Sequence, residues 1–63
     1  EALNPMTATQ DALASIPVIG QAGAARIVAA REHHTLNSLQ AVADAVGLQG
    51  FELVRIRPFF RFD

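Results

Sequence analysis

Ile16-Pro17-Val18-Ile19-Gly20-Gln21-Ala22-Gly23-Ala24-Ala25-Arg26-Ile27-Val28-Ala29-Ala30-Arg31-Glu32 is the stretch whose reading decides the fold. Pro17 fixes φ and closes off whatever helix precedes it. Gly20 supplies the backbone freedom that a sharp reversal needs. From Gln21 nearly every residue is a good helix former, and Ala24, Ile27 and Val28 fall at i, i+3 and i+4 on one stripe. The stretch therefore reads as a tight turn feeding a helix over about 21–32, and the rest of the chain repeats this unit or packs against it.

Upstream, Asn4-Pro5 is a turn-type dipeptide, and residues 1–8 read as an irregular arm. Thr9 is the N-cap candidate of a short first helix over about 10–15, with Asp11 in the first turn, where the helix dipole favours negative charge. Leu13 and Ile16 are its inward residues. Downstream, the second helix ends near His33-His34. Adjacent histidines diverge around a helix and make a poor metal pair, whereas a helix C-terminus suits them when protonated. Leu36 turns inward from a connector, and Ser38 caps a third helix over about 39–45 with Leu39, Val42 and Val46 on its apolar side. Gly47-Leu48-Gln49-Gly50 is a second tight turn, and a fourth helix runs over about 51–56 with Leu53 and Ile56 at i, i+3. Pro58 biases Arg57 away from helix, leaving Phe59-Phe60-Arg61-Phe62 as an aromatic tail.

Sliding the chain on itself by 29 residues places Thr9 on Ser38, Leu13 on Val42, Ile19 on Leu48, Ala24 on Leu53, Arg26 on Arg55 and Ile27 on Ile56. Cap falls on cap, core on core and arginine on arginine. Self-similarity at such a period organises a fold. Two copies are too few for a solenoid and instead suit two helix-turn-helix units about a pseudo-two-fold axis, each covering the apolar face of the other.

Sixty-three residues make one domain, and a chain of this size buries only about 60% of its unfolded surface, so good packing decides its stability. There is no cysteine, which removes disulfides and thiolate metal sites. No apolar run approaches the roughly 18 residues of a membrane span, and no signal-peptide pattern is present. The chain begins at Glu1 rather than Met, as a piece of a longer protein would. The formal charge of −1 conceals a body that is slightly basic: five arginines stand between Glu1 and Asp63, against four internal acids. A tight electrostatic nucleic-acid binder carries a larger excess. Asp11, Glu32, Asp44 and Glu52 show no paired spacing, and so small a domain has little room for a deep cleft; an enzyme is not expected.

The residues from Asn4-Pro5-Met6-Thr7-Ala8-Thr9 through Ile16-Pro17-Val18-Ile19-Gly20 to Ala24-Ala25-Arg26-Ile27-Val28-Ala29-Ala30-Arg31 resemble the tandem helix-hairpin-helix module of ComEA-type competence DNA receptors. Ser38-Leu39, Gly47-Leu48 and the run from Leu53 to Phe60 are similar to its second half. The resemblance covers nearly the whole chain and implies an all-α (HhH)2 fold of about four short helices: an arm at 1–8, a first hairpin unit at 9–34 and a second at 35–62. It implies DNA binding without sequence preference, of the kind used in DNA uptake. Phosphates would meet the backbone amides of the two turns, at Ile19, Gly20, Gln21 and Ala22 and at Leu48, Gln49 and Gly50, with Arg26, Arg55 and Arg57 in support. A monovalent cation at the first hairpin would be the sole cofactor. The family's turn is Gly-hydrophobic-Gly. Here Val18 stands for the first glycine of the first turn and Gln49 for the second glycine of the second, and the lysines common near such sites are absent. A β-branched Val18 resists positive φ, which predicts a first turn of different shape. The competing expectation is therefore a structural or protein-interaction module on a degenerate hairpin scaffold. Arginines interleaved with Phe59, Phe60 and Phe62 also suggest a stacking platform for single strands, set against the simpler role of closing a small core.

Overall fold

The computed structural model describes residues 2–62; Glu1 and Asp63, the acids at the two ends, lie outside the described residues. The chain is all-α, with α1 (Gln10–Ala14), α2 (Gly20–Arg31), α3 (Leu39–Val46) and α4 (Phe51–Ile56) followed by a single 3-10 turn, Arg57–Phe59. Among the described residues the one extended pairing is an isolated parallel bridge between Leu3 and Phe60.

The starts of α1 and α3 have a local chemical cause. The Thr9 side chain accepts from the Ala12 N–H at 3.1 Å and that of Ser38 from the Ala41 N–H at 3.2 Å, so both expected caps satisfy a donor that the first helical turn leaves open. α3 ends on Gly47 at φ 87°, whose N–H and that of Leu48 both donate to the Ala43 carbonyl, at 2.7 and 2.9 Å.

The core is built from Leu13, Ile16, Ile19, Ala24, Ile27, Leu36, Val42, Ala43, Ile56 and Phe60, all buried. Leu13 and Val42, one repeat apart, are both fully buried, as are Ile27 and Ile56. The 29-residue slide thus aligns positions with matching environments. α2 and α3 come close at Gly23, where an added Cβ would stand 3.0 Å from Ile19 Cγ2 and 3.2 Å from Val46 Cγ1. Only glycine lets these atoms sit there.

Two expectations need correction. Val18 does adopt positive φ, at 79°, so the first turn keeps the backbone course that a glycine would give it. The aligned residue in the second turn is Gly47, at φ 87°. Packing of Ile16 and Ile19, buried on either side, outweighs the local preference of valine. Second, Arg57 stays helical, at φ −51° and ψ −46°, because a 3-10 turn that begins at Arg57 takes Pro58 in its first positions, where no N–H is required. Residues 2–8 form an irregular segment that lies against the body. The Asn4 carboxamide accepts from the Met6 N–H at 2.9 Å, and Pro5 is fully buried. The Arg31 guanidinium donates from Nη1 to the carbonyls of Pro5, at 3.2 Å, and Ala8, at 2.6 Å. Leu3 donates to Phe59 at 2.8 Å and accepts from Arg61 at 2.9 Å.

Candidate nucleic-acid interface

The first turn begins where α1 runs out. Ile16, held by its N–H to the Leu13 carbonyl at 3.1 Å, turns its own carbonyl toward the start of α2, where it accepts from both Ile19 and Gly20 at 3.2 Å. Val18 and Gly20, at φ 79° and 63°, rotate the chain between these bonds. Gly23 makes the first bond of α2, to the Ile19 carbonyl at 3.1 Å. This leaves the N–H groups of Gln21 and Ala22 with no acceptor among the described residues, on two exposed residues in the first turn of a 12-residue helix. Of the four expected amides of this turn, two are spent internally and two have no acceptor among the described residues. The positive end of the α2 dipole adds to their field.

The second turn is arranged differently. Leu48 donates to Ala43, and the Gln49 N–H takes the Glu52 carboxylate as a long acceptor, at 3.5 Å. The Gly50 N–H has no acceptor among the described residues. α4 is two residues further from its turn than the repeat predicts, starting at Phe51 where α2 starts at Gly20. The register is unbroken, so the turn itself runs on to Gly50, whose φ of 43° with ψ of −112° is open to glycine alone. A carboxylate therefore stands beside this turn, while the first has none in its opening helical turn.

The three arginines assigned a supporting role do not converge. Arg26 reaches across from α2 to the second turn: its Nη1 would lie 3.7 Å from a Cβ at Gly47, beside the negative C-terminal end of α3. It also lines an open groove of about 870 Å³ between α2 and α3, together with His33, His34 and Asp44. Arg55 and Arg57 are exposed on α4 and the turn after it. Among the described residues no group of histidines and acids could hold a metal ion. No helix among them is long and apolar enough to cross a membrane.

No known protein family, curated protein or solved structure matches this chain. The geometry has to speak for itself. Two residues with defined work went unassigned in the sequence. Arg31 clips the amino-terminal segment through partners 23 and 26 residues away, a separation that no local pattern encodes. Glu52 was readable: Gln49-x-x-Glu52 has the spacing of a capping box, displaced by one residue from the Gly50 cap.

Proposed function

We propose that the chain is a tandem helix-hairpin-helix module of the ComEA-like kind that binds the DNA backbone without regard to sequence, chiefly through its first hairpin. The observation that carries this reading is the pair of amides without an acceptor at Gln21 and Ala22, placed at the head of α2 by a turn that holds positive φ at both Val18 and Gly20. Donors fixed at a helix N-terminus pair with a phosphate oxygen without reorganising, and phosphate contacts carry no base identity. The structure also supports an uneven module, since Glu52 opposes a phosphate at the second turn.

The test is a salt titration of binding to a labelled duplex between about 20 and 200 mM, with a slope equivalent to about two to four neutralised phosphates expected. The diagnostic variant is Gln21→Pro. Proline is accepted in a first helical turn and removes one of these donors, so affinity should fall about 5–10-fold, the worth of one charge-assisted hydrogen bond. Equal binding by a folded Gln21→Pro protein would sink the hairpin site. Gly20→Pro is a poor probe, because φ of 63° is closed to proline and the Gly20 N–H is already bonded to Ile16. One observation favours a second reading, a scaffold that meets a protein instead: the Glu52 carboxylate seated at the second turn. Absence of duplex binding at the lowest salt would leave that reading standing.

A further inference from the structure

α4 carries the most exposed large apolar side chains of the described residues. Phe51 is 74% exposed and Val54 70%, while Ile56 of the same helix is fully buried. Phe51, Val54 and Arg55 fall at i, i+3 and i+4 and share the outward face. Arg57 follows directly on the adjoining turn. Neither guanidinium has a hydrogen-bond or ion-pair partner among the described residues, and α4's own carboxylate, Glu52, is directed to the Gln49 N–H.

Size and charge choose between occupants. Two side chains on a six-residue helix supply far less than the roughly 800 Å² per partner of a stable protein interface. In a two-fold pairing of α4 with a second copy, both partners would bring the same arginines to one seam, a gathering of like charge that opposes association. A single nucleic-acid strand asks for less. One aromatic face accepts a base, one or two cations accept the adjoining phosphates, and the contact tolerates any sequence because every base has a π-face. A duplex cannot use it, since its bases are already stacked.

We propose that the Phe51–Arg55 face of α4 is a stacking site for single-stranded nucleic acid, with Phe51 under a base and Arg55 on a flanking phosphate. This site is separate from the amides of the first hairpin and does not depend on them.

The chain contains no tryptophan, so Phe51→Trp introduces a single reporter. Its fluorescence should be quenched on adding an oligothymidylate of about a dozen nucleotides and unchanged on adding a blunt duplex. Phe51→Ala should weaken oligothymidylate binding about ten-fold or more, measured by anisotropy at about 20 mM salt, with duplex affinity unaltered. Arg55→Gln should weaken it and flatten its salt dependence. Because Phe51 is exposed, these variants should keep the wild-type circular dichroism. Unchanged oligothymidylate affinity in folded Phe51→Ala would overturn the proposal, as would Phe51-dependent binding of an acidic leucine/glutamate peptide in the absence of any oligothymidylate binding. Loss of duplex binding in Gln21→Pro with quenching of the Phe51→Trp reporter intact would separate the two sites. Failure of duplex binding alone touches only the hairpin reading.

Discussion

Val18 is where local preference and global packing conflict. Its φ of 79° belongs to a region that L-residues enter at a cost of about 1–2 kcal/mol, more when branched at Cβ. At 40% exposure its side chain recovers only part of that through burial. Val18→Gly removes the strain but adds freedom to the unfolded chain, an opposing term of about 0.5–1 kcal/mol. The net expectation is a more stable protein, by about 0.5–1 kcal/mol, seen as a rise of several degrees in the thermal midpoint followed by circular dichroism. A fall would mean that the valine side chain contributes more packing than its exposure suggests. The aligned position supplies the reverse experiment. Gly47→Val imposes the same strain at φ 87°, next to the Arg26 guanidinium, and should destabilise by about 1–2 kcal/mol.

At the scale of elements, the helices were legible and their termini less so. Thr9 and Ser38 were recognisable as caps because a hydroxyl before an apolar-periodic run has one local use; Thr9→Ala and Ser38→Ala are each expected to lower stability by about 1 kcal/mol in denaturant unfolding. Gly20 was read as turn and is the first helical residue, since positive φ does not prevent its carbonyl from entering the helix. Arg57 was misread because the rule about the residue before proline describes α-helix interiors, and a 3-10 turn relaxes it. Phe60 closes the core as expected, while Phe62 stacks on it from outside, ring centres 6.3 Å apart, and is left 36% exposed. The aromatic of most functional interest, Phe51, carried no local mark, since only tertiary packing decides which side of so short a helix turns away from the core. The amino-terminal segment was the least legible element. Its attachment depends on Arg31 as donor to two carbonyls. Arg31→Met should cost about 1–2 kcal/mol and raise the rate of proteolytic cleavage before Thr9. An unchanged cleavage rate would show that Pro5 and the Leu3 bridge hold the segment alone.

Across the whole molecule, the internal repeat predicted the environments of the core but not the division of labour between its halves. Aligned positions share burial at Leu13 and Val42 and at Ile27 and Ile56, since both halves face one core. They diverge at the turns, which face solvent and are free to differ: one half leaves two amides open, and the other places a carboxylate beside its turn. If the proposed backbone contact is right, Glu52→Gln removes a negative charge near it and should raise duplex affinity modestly, by about two- to three-fold at low salt, an effect that fades as ionic strength rises. A salt-independent gain would point instead to a changed turn. The fold was thus recoverable from periodicity, caps and the repeat. The candidate site was recoverable only to the level of a turn, because which amides stay open depends on carbonyls such as that of Ile16, whose direction no residue type announces.

The bridge between Leu3 and Phe60 has a mechanical meaning. It is parallel, so the chain runs in the same direction on both sides of it, entering past Leu3 and leaving past Phe60. Tension applied across the two ends pulls these strands along their length in opposite senses, and the bonds from Leu3 to Phe59 and from Arg61 to Leu3 are stretched sideways together rather than peeled one after the other. The pair acts as a shear latch. While it holds, the helices behind it carry none of the force, and the first thing to give under a pull would be the seam that joins the beginning of the chain to its end.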